Sequence, residues 1–210
     1  EREKRITAYH ESGHAMVALL TPGTDPVHKV AIIPRGAHAL GYTMQLPIED
    51  RYTLPRNELV GRLTVMMGGR AAEEIVFSEI TTGAQNDLEM ATTMARRMVT
   101  EFGMSDQLGT LTYGRRERQM FLGRDLFEER NYSEQTAVLI DQEIRRLVDA
   151  SYEQARRLIT NHRAELDVLA VALLEKEVLD GEEVRRLIGL PHPSDAGAAP
   201  SSNDHSPSSA

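Results

Sequence analysis

Two histidines lie four residues apart in the segment AYHESGHAMV, and this spacing restricts the fold of the chain more than any other feature. Each residue of an α-helix is rotated by about 100° from the previous one, so His10 and His14 share one face of a helix. Their imidazole nitrogens can then reach a single metal ion. Glu11 lies beside that face, where a carboxylate can take a proton from a water molecule at the metal and pass it to a leaving amine.

The alternative is an ordinary amphipathic helix that carries two histidines by coincidence. We expect the full five-residue pattern by chance in about one chain of this length in a hundred, or fewer, which favours the metal. A longer version of the motif, with a Gly and a further His at positions 17 and 20, is excluded because those residues are Val17 and Leu20. The third protein ligand of a catalytic zinc must therefore come from elsewhere in the chain.

Several side chains could supply this third ligand, and the residues alone leave the choice open. Asp87 is favoured because it continues an apolar helical stripe at positions 87, 91, 94, 98 and 102, where a carboxylate needs a metal or an ion pair. The alternative for Asp87 is a helix cap or an ion pair. The remaining candidates are His28, His38, Glu73 and Glu74.

Simpler explanations exist for those remaining candidates. Glu74 lies four residues after Arg70 and could form an ordinary ion pair with it. His28 and His38 flank strand-like segments and are expected to face solvent. The other histidines are expected in a loop or in the tail: His162, His192 and His205.

The composition limits the chemistry further. The chain has 210 residues and no cysteine, so disulfides and thiolate metal sites are excluded. Its formal net charge of −8 argues against nucleic acid as a partner. The sequence has no apolar run of about eighteen residues that could span a membrane. Because the chain starts with the charged segment EREKR rather than with methionine, we expect a fragment of a longer protein.

The periodicity predicts a mainly α fold. We expect a helix over 4–20, a small β-hairpin or sheet over about 27–47, a helical segment over 55–77 and a helix from a Thr82–Gln85 capping box to Gly103. A long loop should follow over 103–130. Helices over 133–160, 163–176 and 181–188 should then form a C-terminal helical bundle.

The domain organisation follows from the same patterns. Residues 1–190 are expected to form one domain around the zinc site, which could divide into a catalytic part over 1–103 and a bundle over 131–190. The tail over 191–210 is rich in Pro, Ser, Ala and Gly, without apolar periodicity, and is expected to be disordered.

Eight segments occur in a fixed order along the chain: HESGHA, GYTMQLP, GGRAAEE, TTGAQNDLEMAT, EFGMSDQLG, FLGR, YSEQTA and LLEKEVLDGEEV. Together they closely resemble the proteolytic domain of the FtsH family of membrane-anchored, ATP-dependent zinc metalloproteases, from about residue 4 to residue 188. The resemblance implies a helical metalloprotease domain with a small β element at the edge of the active site. It also implies one Zn²⁺ per chain.

The resemblance assigns roles to individual residues. It implies that zinc is held by His10, His14 and Asp87, and that Glu11 is the catalytic base. One of Glu73 and Glu74 would orient a ligand histidine. The edge along which an unfolded substrate could add as an extra strand would be formed by Leu40, Gly41, Tyr42 and Thr43.

The resemblance also implies partners that lie outside this chain. The substrates would be unfolded polypeptides, and the full-length protein would be a membrane-anchored homo-hexamer with this domain on the cytoplasmic side. ATP would bind only to an ATPase module that these residues lack, because no phosphate-binding loop occurs in them. This fragment is expected to be soluble, without nucleic acid and without direct membrane contact.

A non-catalytic assembly module with the same fold is the alternative to a zinc endopeptidase. A relative that had lost its chemistry would commonly lack the base or a ligand. Because His10, Glu11, His14 and Asp87 are all present, the sequence favours the enzyme.

Overall fold

The computed structural model describes residues 1–33, 41–47, 53–114 and 131–191. Predictions for Leu40, His38, His192 and His205, for 115–130 and for nearly all of the tail lie outside the described residues. Within them, the fold is mainly α with a small antiparallel sheet, as predicted. The helices are α1 Arg2–Leu20, α2 Arg56–Met66, α3 Gly68–Phe77, α4 Gln85–Thr100, α5 Glu134–Asn161, α6 Arg163–Lys176 and α7 Gly181–Leu187.

The first helix, α1, is the centre of the fold. Every residue from Ala8 to Ala18 is buried, including the polar ones, so this helix has no solvent-facing side over three turns. It packs most extensively against α3 and α6 and also contacts α2, α5 and the sheet. Beyond its end, the Thr24 hydroxyl donates to the carbonyls of Ala18 and Thr21, which turns the chain toward the sheet.

The predicted small β-hairpin or sheet is a sheet of three strands. β1 (Val27–Ala31) pairs with β2 (Tyr42–Gln45) on one side and with β3 (Val178–Asp180) on the other, antiparallel in both cases. Strand β3 was missed because its three residues sit between two helices and their partner lies about 150 residues earlier in the chain. Within the described part of the chain, β2 and β3 are the edge strands.

The helical segment predicted over 55–77 consists of two helices, α2 and α3. Met67 lies between them, as the C-cap of α2 and the N-cap of α3, and α3 starts at Gly68. The predicted capping box at Thr82 was wrong. Instead, the Thr81 side chain accepts a hydrogen bond from the Gly83 amide and caps a 3₁₀ turn that leads into α4. The C-terminal helix limits agree with the prediction to within one or two residues.

The C-terminal helices pack mainly on the N-terminal half of the chain. α5 lies across α2, α3 and α4, whereas α6 lies on α1. One hydrophobic cluster takes residues from both halves, including Met16 of α1, Met98 of α4, Ile140 of α5 and Leu169 of α6. The proposed limits of two separate parts, 1–103 and 131–190, remain a prediction.

The contact between α1 and α3 is made through glycines. A β-carbon on Gly13 would lie 2.5 Å from the Gly68 carbonyl oxygen and 2.7 Å from the Ala72 β-carbon. A β-carbon on Gly68 would lie 2.7 Å from the Gly13 carbonyl oxygen. Because backbone atoms cannot yield as a flexible side chain can, both positions require glycine for this approach.

We expect Gly13→Ala to lower the free energy of unfolding by about 1–3 kcal/mol, since overpacking outweighs the gain of about 1 kcal/mol in helix propensity. Urea denaturation measures this loss. Gly61→Ala in α2 is the matched control, because its nearest neighbour would be a Thr24 methyl group at 3.2 Å rather than backbone. Equal stability of Gly13→Ala and Gly61→Ala would contradict the close-packing explanation.

Candidate metal centre

The structure brings His10, His14 and Asp87 together. The two histidines project from the same face of α1, and Asp87 approaches them from the first turn of α4. The His10 Nε2 and His14 Nε2 atoms are 3.0 Å apart, and Asp87 Oδ2 lies 3.2 Å from the first and 3.3 Å from the second. Three potential ligand atoms thus form a nearly equilateral triangle.

The other nitrogen of each imidazole fixes the orientation of its ring. His10 Nδ1 lies 2.6 Å from Glu73 Oε1, and His14 Nδ1 lies 2.7 Å from the Val65 carbonyl oxygen. Both oxygens accept a hydrogen bond from the Nδ1–H group, so each ring directs Nε2 toward the triangle. Gly69 makes room for this arrangement, since a β-carbon there would lie 2.4–2.6 Å from atoms of the His10 ring.

Glu73 and Glu74 are neighbours in sequence but point to different places. Glu73 is 1% exposed and also accepts a hydrogen bond of 3.1 Å from the Thr81 amide. Glu74 accepts a hydrogen bond from the Tyr152 hydroxyl of α5 and lies 3.9 Å from Arg156. Arg70, the partner proposed for Glu74 from the sequence, instead lies over the Tyr152 ring. Of the two glutamates, only Glu73 contacts a histidine of the triangle.

The electrostatics of the cluster favour a positive charge at its centre. Burial alone would lower the pKa of His10, but hydrogen bonds to Asp87 and Glu73 and the nearby Glu11 carboxylate raise this pKa to about 10. Burial would likewise raise the pKa of Asp87, yet hydrogen bonds from His10 and His14 hold it far below its usual range. Three carboxylates around two imidazoles leave an excess of negative charge that a cation would balance.

The donor set fits zinc. Two imidazole nitrogens and one carboxylate oxygen are typical zinc ligands, and a tetrahedral ion with bonds of 2.0–2.1 Å separates its ligand atoms by about 3.3 Å. The three separations of 3.0, 3.2 and 3.3 Å agree with that value. Three protein ligands leave the fourth position for water or substrate, as in catalytic rather than structural sites.

Glu11 is also buried, and β2 reaches its side chain. The Thr43 hydroxyl lies 2.7 Å from Glu11 Oε2 and 3.1 Å from the Glu11 carbonyl oxygen. At Gly41, a β-carbon would lie 2.9 Å from Cγ of Glu11. The residues expected to form a substrate edge therefore include two that touch the expected base, and no sequence pattern indicated this contact.

Two further histidines and the apolar stripe of Asp87 lie largely as predicted. His28 is exposed on β1, and His162 lies at the junction of α5 and α6. The apolar stripe that pointed to Asp87 is buried at Ala91 and Met98, although its last member, Phe102, is exposed. Asp87 is in the first turn of α4, earlier in the helix than predicted, because the 3₁₀ turn precedes it.

The sequence matches the model of peptidase family M41 over residues 1–187. The chain belongs to this family. The resemblance to the FtsH family is confirmed at the same time, because similar proteins include the ATP-dependent zinc metalloproteases FtsH of Pseudothermotoga lettingae and Thermotoga maritima, 55% and 51% identical over 187 residues. Each match covers 89% of this chain.

A further similar protein extends the match toward the C-terminus. The ATP-dependent zinc metalloprotease FtsH of Rubrobacter xylanophilus is 53% identical over 209 residues, or 98% of this chain. The chain spans only about a third of these relatives, 30% to 32% of their length. Among the described residues, no helix is long and apolar enough to cross a membrane.

We expect Glu73→Gln to weaken zinc binding by about 10- to 100-fold. A neutral amide orients the His10 ring less firmly than the carboxylate does, and it leaves the imidazole less basic. Competition with a chelator for zinc measures the affinity. The matched control is Glu74→Gln, one residue along the same helix, which should bind zinc as the parent chain does. A larger loss for Glu74→Gln than for Glu73→Gln would contradict this assignment.

Proposed function

We propose that this chain is the proteolytic domain of an ATP-dependent zinc metalloprotease and hydrolyses peptide bonds of unfolded polypeptides. The observation that carries the proposal is the triangle of His10 Nε2, His14 Nε2 and Asp87 Oδ2, with Glu11 buried directly after His10 on α1. We assign the three triangle residues as zinc ligands and Glu11 as the general base. Membership of a peptidase family supports the same reaction.

Each residue has one task in this mechanism. A zinc ion at the triangle would polarise the scissile carbonyl and make water acidic enough to react near neutral pH. Glu11 accepts a proton from the attacking water and then delivers it to the nitrogen of the departing amine. Glu73 and the Val65 carbonyl keep the two imidazoles in the tautomer that presents Nε2.

The substrate is proposed to bind along β2. This strand is an edge of the sheet within the described residues, so its outer backbone groups can pair with an extended peptide. Leu40, Gly41, Tyr42 and Thr43 would form the start of that edge. Main-chain pairing suits unfolded substrates of varied sequence, because every peptide offers the same backbone groups.

The remaining parts of the function belong to a longer protein. The names of the relatives include ATP dependence, and this chain covers only about a third of them. We propose that ATP is used by a module outside these residues, that the full-length protein is a homo-hexamer, and that it is membrane-anchored with this domain on the cytoplasmic side. The family resemblance supports the ATPase module, the homo-hexamer and the membrane anchor.

The third-ligand assignment predicts that Asp87→Ala loses most of its zinc. Two imidazoles without the carboxylate bind the ion far less tightly. Metal content per chain, measured side by side with the parent chain, should fall from about one zinc to little. Equal zinc in both would return the third-ligand question to Glu73, and no zinc in the parent chain even after zinc is supplied would favour the non-catalytic module.

The general-base assignment predicts that Glu11→Gln binds zinc normally but loses cleavage by at least about 100-fold, since an amide cannot accept the proton. Cleavage of an unfolded protein such as casein and zinc content should be measured on the same preparation. Glu74→Gln is again the control, with full activity expected. Undiminished cleavage by Glu11→Gln would overturn the proposed mechanism.

A further inference from the structure

We infer that Thr43 is a positioning residue that holds the Glu11 carboxylate in its working orientation. This inference rests on the proposed function of Glu11 as base. It assigns β2 a second task besides the edge at which a peptide can pair. The contact joins two residues 32 positions apart in the sequence.

The hydrogen bond is directed at the carboxylate. The Thr43 hydroxyl is closer to Glu11 Oε2, at 2.7 Å, than to the Glu11 carbonyl oxygen, at 3.1 Å. A distance of 2.7 Å is typical of a well-formed hydrogen bond from a hydroxyl to an oxygen. Thr43 therefore occupies Oε2 and leaves Oε1 as the oxygen that exchanges a proton with the reactants.

The contacts from Gly41 and Thr43 restrict the conformation of the Glu11 side chain. A glutamate has three side-chain torsions, and only some of their combinations place the carboxylate beside a metal on the His10–His14 face. Gly41, the residue before β2, packs against the stem of the side chain, and Thr43 in β2 holds its end. Thr43 itself is held by its pairing with Val30 in β1.

The geometry links substrate binding to the base. A peptide that pairs with the outer edge of β2 would lie on the strand whose Thr43 positions Glu11. One rigid element then sets the distance between the peptide backbone and the proton acceptor. Alignment of reacting groups of this kind raises kcat rather than binding.

The experiment compares Thr43→Val and Thr43→Ser in the zinc-loaded 210-residue chain, with a fluorogenic peptide as substrate. Valine keeps the β-branched shape but removes the donor. We expect kcat to fall about tenfold or more with KM within about twofold, because hydrogen bonds to charged groups carry such effects. Thr43→Ser keeps the hydroxyl and should restore most of kcat. Zinc per chain should be unchanged in both.

The control is Thr100→Val in α4, which removes a hydroxyl hydrogen bond to the Arg96 carbonyl and should leave kcat unchanged. Unchanged kcat in Thr43→Val, with cleavage abolished in Glu11→Gln, overturns the inference and leaves the proposed function intact. A rise in KM at unchanged kcat also overturns it, since Thr43 would then act on binding alone. Full cleavage by Glu11→Gln instead overturns the proposed function.

A second measurement tests the contact without activity. Urea denaturation of the chain in the presence of a chelator is carried out for Thr43→Val in the parent background and in the Glu11→Ala background. We expect the valine substitution to lower the unfolding midpoint less when Glu11 has been removed, because the hydrogen bond is then already lost. Equal shifts in the two backgrounds would overturn the contact between the two side chains.

Discussion

The close approach of α1 and α3 is the constraint on which the rest of the centre depends. Gly13 and Gly68 let the two backbones touch, and a β-carbon on either would strike a carbonyl oxygen. At this separation the His10 ring fits over Gly69 and reaches Glu73 on the next turn of α3. The helix break at Met67 then brings the Val65 carbonyl at the end of α2 to His14. Small residues in α3 thus determine where the imidazoles of α1 point.

Glu73 also connects the two histidines to the segment that carries Asp87. One of its oxygens accepts from His10, and the other accepts from the Thr81 amide at the start of the 3₁₀ turn. Thr81 in turn caps that turn, from which α4 begins. A single buried carboxylate therefore fixes the orientation of one expected ligand and the approach of another. The position of Asp87 in the first turn of α4 adds the favourable field of a helix N-terminus.

The sequence predicted which residues come together at the centre better than it predicted the contacts that orient them. His10, Glu11 and His14 were proposed from the helical spacing of α1, and Asp87 was favoured by its place on an apolar stripe of α4. Spacing and stripe are each a local property of a single helix, so both can be read from the sequence. The choice between Glu73 and Glu74 could not be made, since adjacent residues on a helix differ by about 100° and the direction of α1 relative to α3 was unknown. Thr43 escaped notice as a partner of Glu11 because that contact depends on the path between a strand and a helix far apart in sequence.

The sheet shows why the C-terminal part of the chain matters to a site formed by the first hundred residues. Val30 of β1 pairs with Thr43 on one side and with Leu179 of β3 on the other. Gly181 lies so close to the Val27 carbonyl that no β-carbon fits, and the Ile32 amide donates to the Glu177 carbonyl. These contacts fix β1 from the far end of the chain, β1 fixes β2, and β2 reaches Glu11 through Thr43. A strand of three residues, invisible to periodicity, thereby contributes to the position of the expected catalytic carboxylate.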